Sequence, residues 1–122
     1  MAAQLSYENV TEGLLQSAPE LRPLLDEHIQ QYDELLPHVF FGDVTRFVMD
    51  RVRTEGGAGN QDAVVRRILG FLEEAMASSD ENVQELVSLS FLENLDPSDP
   101  AYEELKAMLG PNLRRELENY RK

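Results

Sequence analysis

Val64, Val65, Ile68, Leu69, Leu72, Ala75 and Met76 recur at the three- and four-residue spacing of a single helix face. That period excludes a strand, whose faces alternate every second residue, and it predicts an amphipathic helix over 61–78. Phe71 borders the stripe, and Arg66, Arg67, Glu73 and Glu74 fall on the opposite side. Asn60 is the expected N-cap. Asp62 and Arg66, four apart, are expected to form a surface pair stabilising the helix by a few tenths of a kcal/mol.

The same period recurs along the chain. Val10, Leu14 and Leu15 predict a short helix within 1–19, ending near Ser17–Pro19. Leu21, Leu24, Leu25, His28, Ile29 and Tyr32 line one face of the next, with Pro23 harmless in its first turn. Val44, Phe47, Val48 and Val52 predict a third, capped by Asp43. Gly56, Gly57 and Gly59 then break the pattern, so 54–60 reads as a connector; a phosphate loop would need a following Lys and Ser or Thr. Ser79 is the expected cap of a helix over about 80–95, forming an antiparallel hairpin with its predecessor.

That helix is apolar nearly all round. Val83, Leu86, Val87 and Phe91 share one face, whereas Leu89, Leu92 and Leu95 fall almost opposite. Such a helix is central, or one face is completed by a partner. Ser90 and Asn94 on the main face suit close packing or a hydrogen-bonded pair. Asp99 and Pro100 are expected to start another helix in the N-cap and N1 positions, with Tyr102, Leu105, Met108 and Leu109 inward until Gly110 and Pro111. A last helix turns Leu113, Leu117 and Tyr120 to the core. The expectation is an all-α single domain of six to seven helices over 1–122, arranged as a stack of helical hairpins.

Charge narrows the function. The chain has 23 Asp and Glu against 11 Lys and Arg, a net charge of -12. Residues 1–45 carry a net of -7, 46–67 a net of +2 from five arginines, and 106–122 a net of +3. The 38 residues 68–105 between them hold ten acids and no base. Self-repulsion of this kind opposes compaction and phosphate binding, and it attracts basic partners. No stretch is apolar enough to span a bilayer, and the N-terminus lacks the pattern of a secretory signal, so the expected setting is cytoplasmic. With no Cys there is neither disulfide nor thiolate ligand. His38 and Asp43 lack a third partner at metal-ligand spacing, and no serine sits in a nucleophile elbow, so no cofactor and no catalysis are expected.

The segment Leu35-Leu36-Pro37-His38-Val39-Phe40-Phe41-Gly42-Asp43 has two readings. One is an extended linker that plugs the core and caps the next helix. The other is a partner-facing patch with Phe40 as anchor and Asp43 as acceptor.

The run from Leu35 to Arg46, the helix Ile68-Leu69-Gly70-Phe71-Leu72-Glu73 and Ser90-Phe91-Leu92-Glu93-Asn94-Leu95 resemble a family of small, acidic, all-helical bacterial proteins. That family is largely uncharacterised, and some members resemble immunity proteins of toxin systems. The likeness extends from about residue 20 onward and implies an immunity setting. Together these expectations describe an acidic protein-binding module that occludes a basic toxin or nuclease-like partner through Glu73, Glu74, Glu81, Glu85 and Glu93. Phe40 and Asp43 are secondary candidates. The alternatives are a scaffold module whose partner docks on an apolar Leu89/Leu92 groove, and an enzyme with a site near His38, Asp43 and Arg46.

Overall fold

The computed structural model describes residues 6–54 and 62–120. Over these the chain is all-α: α1 (Val10–Ser17), α2 (Arg22–Tyr32), α3 (Pro37–Thr54), α4 (Ala63–Met76), α5 (Glu81–Glu85), α6 (Tyr102–Met108) and α7 (Pro111–Tyr120). A 3-10 turn at Pro19–Leu21 leads into α2, and α5 runs directly into a π-helical segment, Leu86–Leu92. The glycine connector and the expected cap at Asn60 lie outside the described residues.

The core is the junction of α3 with the π segment, flanked by α1 and α7 against α4 and by α6 against α3. Phe40, Phe41, Phe91, Ile68, Leu72, Leu86, Leu92 and Leu113 are among its fully buried side chains. The stripe on α4 is buried as its spacing predicts, with Met76 half-covered at the end. On α2 the prediction holds only at the start. Leu25 and His28 are buried, but Ile29 and Tyr32 are exposed because the last turn runs past the core.

Three helix starts differ from expectation. Asp62 caps α4, its Oδ1 accepting the N–H groups of Val64 (2.9 Å) and Val65 (3.2 Å). Its ion pair is with Arg51 of α3 rather than Arg66, through Nε at 2.8 Å and Nη2 at 3.3 Å. Asp80, not Ser79, caps α5 by accepting from Asn82 N–H, and α6 begins at Tyr102, after a turn in which Asp99 accepts from Ala101 N–H.

The largest departure is α3, which begins at Pro37 rather than after Asp43. Pro37 occupies the first helical position, where its missing N–H is an orphan anyway, and Phe40 N–H bonds back to Leu36 O. Gly42 is therefore inside a helix. A Cβ there would lie 3.2 Å from Asn94 Nδ2, so the glycine admits the π segment close against α3.

The π winding explains the apolar residues scattered around 83–95. Its wider turn, shown by Glu93 N–H bonding to Ser88 O five residues back, rotates Leu92 and Leu95 onto the buried side with Leu86, Val87 and Phe91. Leu89 alone is left outside. Carbonyls at the end of the segment are met by side chains. Thr45 Oγ1 donates to Phe91 O (3.0 Å), with Phe41 O as its alternative acceptor at 3.1 Å. Asn94 Nδ2 donates to Ser90 O at 2.6 Å.

Candidate functional site

The arginines of 46–67 do not form a basic surface. Arg46 pairs with Asp43, Arg51 with Asp62, and Arg53 with both Asp50 (2.9 Å) and Asp99 (2.5 Å). Arg67 grips Glu20 and also donates to Ser17 O. The Arg53 hydrogen bond, helped by Ala101 N–H, holds the Asp99 carboxyl below its usual range, and the Arg67 hydrogen bond does the same for Glu20. These pairs tie α3 to α4 and to the turn before α6, and α4 to the 3-10 turn. Apart from exposed Arg66, the positive charge of the stretch is engaged within the fold.

Two of the predicted acids meet in a cleft. Glu81 and Glu85 line about 500 Å³ of space together with Met76, Gln84, Ser88, Leu89 and Glu116. One turn of α5 sets the two residues about 6 Å apart along the axis, on the same side of the helix. Glu116 comes from α7 and is fixed by Ser88 Oγ, which donates to its Oε2 at 2.7 Å. Leu89 is the most exposed large apolar side chain among the described residues, at 46%. An apolar surface edged by carboxylates suits a lysine or arginine, whose aliphatic stem covers Leu89 and Met76 while its head meets the acids.

The other predicted residues sit elsewhere. Glu73 is committed to the fold: its carboxylate accepts the N–H groups of Asn112 (2.8 Å) and Leu113 (3.0 Å), capping α7. Glu74 and Glu93 are exposed. Phe40 is fully buried against the His28 and Phe41 rings, so it is no partner anchor. Because α3 already begins at Pro37, Phe40 and Phe41 share its inner side and the exposed neighbour is Val39. Asp43 is half-buried beside Arg46 and His28, whose Nδ1 is 3.8 Å from its Oδ2. His38 turns away from both, its Nδ1 2.6 Å from Ser90 Oγ. A groove of about 600 Å³ holds Asp43 and Arg46, without His38. The Leu89/Leu92 face is also corrected, since Leu92 is fully buried.

Sequence reasoning missed Met76 and Glu116 as cleft residues. Glu116 reaches the cleft from 28 residues beyond Ser88, and no spacing rule joins the two. Met76 belongs to the apolar stripe of α4, and only the position of α5 exposes part of it.

Among the described residues, no helix is long and apolar enough to cross a membrane. No curated protein and no solved structure matches the chain. The expected likeness to a small uncharacterised family is met by a family match over residues 11–122, nearly the whole sequence, and the chain belongs to that family, described as a domain of unknown function (DUF7674).

Proposed function

We propose that this domain is an acidic protein-binding module that holds a basic partner, acting as an immunity protein or inhibitor that occludes a toxin or nuclease-like domain in a bacterial cytoplasm. One observation carries the reading: four of the five arginines of 46–67, all but exposed Arg66, are engaged by acids of the same chain, while Glu81, Glu85 and Glu116 surround exposed Leu89. The partner's Lys or Arg side chains enter between these carboxylates. Occlusion follows if the partner needs the same cations for an anionic substrate. Exposed Glu74 and Glu93 extend the negative field and raise the rate of encounter rather than the lifetime of the complex.

The test compares wild-type protein with the Glu81→Lys/Glu85→Lys variant as bait in affinity capture from the native host. Each captured protein is then measured by stopped-flow at several salt concentrations. The expected result is a basic protein whose association slows roughly tenfold in the variant and falls with salt in the wild type. A partner held equally well by both forms, with kinetics indifferent to salt, overturns the proposal.

A further inference from the structure

Five large apolar side chains are exposed among the described residues, and four of them lie within eleven positions: Ile29 (41%), Tyr32 (39%), Leu35 (37%) and Val39 (38%). They belong to the last turn of α2, the loop after it and the first turn of α3. These three pieces are held at one corner by buried His28. Its Nε2 accepts Leu36 N–H at 2.9 Å, and its ring packs on Tyr32 (centroids 4.9 Å apart) and on Phe40 (5.7 Å). Tyr32 packs on the ring itself, while Leu35 and Val39 adjoin residues that the ring contacts, and Ile29 lies three residues before Tyr32 on α2, so the four exposed side chains project from the backbone that meets at this corner.

The corner is fixed before any partner arrives. Asp33 ends α2 at φ 63°, a left-handed conformation that Asp tolerates better than most residues, and its N–H bonds to Ile29 O at 2.7 Å. The corner's unpaired charges are acidic, and the base near the ring, Arg46, is already engaged by Asp43. Asp26, Glu27, Asp33 and Glu34 are exposed, have no ion-pair partner among the described residues, and no Lys or Arg occurs from 23 to 45. Ordered apolar side chains inside a charged rim have the anatomy of an interaction hot spot.

We propose that this corner is a second docking surface, distinct from the Leu89 cleft, and that its occupant is an amphipathic basic segment of a partner protein, with apolar residues flanked by Lys or Arg. It rests on the same basic-partner reading but not on the cleft. The rim selects the occupant. A second copy would bring the same carboxylates into contact, and an anionic membrane would be repelled. A basic amphipathic helix satisfies both the apolar centre and the rim.

The probe is a fluorescein-labelled helical peptide made only of Leu and Lys, with a Ser/Lys peptide of equal charge as control. In ¹⁵N-labelled wild-type protein, shifts on adding the Leu/Lys peptide are expected within 26–39. By anisotropy, Ile29→Ser/Leu35→Ser and Asp33→Lys/Glu34→Lys are each expected to weaken binding roughly tenfold, whereas Leu89→Ser retains it. Shifts confined to Glu81–Leu89 overturn the proposal, as does equal binding of the Ser/Lys control or unchanged affinity in both corner variants. Sedimentation showing a wild-type dimer that Ile29→Ser/Leu35→Ser dissolves makes a second copy the occupant and equally overturns it. The shift map is read on unaltered protein, so a misfolded variant does not remove the test.

Discussion

The Glu73 carboxylate lies across Gly110, so close that a Cβ at position 110 would be 2.6 Å from Glu73 Cδ. From there it takes the N–H groups of Asn112 and Leu113, two of the orphan donors at the start of α7. The absence of a side chain at 110 and the carboxylate at 73 are thus one device. Glu73→Ala is expected to cost about 1 kcal/mol in urea denaturation, as loss of an N-cap does. Gly110→Ala is expected to destabilise the wild type similarly by displacing the carboxylate. In the Glu73→Ala background it should cost much less. Additive effects of the two changes would show that the clash and the cap are unrelated.

Gly70, on the same helix as Glu73, has the opposite character. A Cβ there meets nothing within 4 Å, and the residue is exposed in the middle of α4. Gly70→Ala therefore removes a helix-interior glycine without steric conflict and is expected to raise stability by about 0.5–1 kcal/mol. A thermal melt showing a lower midpoint would mean that the main chain needs the glycine.

Asp62 joins the two sides of the connector, bonding Arg51 of α3 and the first N–H groups of α4. Burial raises its pKa, but the Arg51 bond together with the N–H groups of Val65 and Val64 outweighs this, so it stays below its ordinary 3.8. A carboxyl lowered in the folded state stabilises fully above its unfolded value, and that contribution vanishes as pH falls through the lowered folded value. Asp62→Asn keeps a cap acceptor and loses the charge. At neutral pH it is expected to be less stable by about 1 kcal/mol, a modest figure because Arg51 is partly solvated. The gap should close as pH drops below about 4. Denaturation curves at a series of pH values measure this, and a gap independent of pH would count against the ion pair.

How much of this was legible in sequence depends on how local each cause is. The α4 stripe, the break around Gly110-Pro111 and the acidic bias rest on neighbouring residues and were readable. Pro37 and Gly42 were misleading because each is punctuation in isolation. The first opens α3, and the second stays inside it because Asn94, 52 positions later, presses on that point. Glu73 looked like any solvated acid on the polar face of α4, and nothing local says that α7 begins beneath it. The cleft was half visible, in Glu81 and Glu85. Its apolar centre depended on a winding that the regular helical period cannot represent.

That winding is itself testable through Thr45. A π turn leaves carbonyls without regular partners, and an unpaired buried acceptor costs about 1–3 kcal/mol. Thr45 is fully enclosed, and its hydroxyl is placed between Phe91 O and Phe41 O. Its own helix offers an acceptor whatever the π segment does, so the hydroxyl is never stranded; the carbonyl of Phe91 is what depends on it. Thr45→Val keeps the shape and removes the donor. It is expected to lose about 1–2 kcal/mol and to speed amide hydrogen exchange within Leu86–Leu92 while leaving α4 protected. Ser90→Ala, which loses only the hydroxyl facing His38, should leave exchange in the segment close to wild type. If Thr45→Val leaves both stability and exchange unchanged, the π segment is held by apolar packing alone.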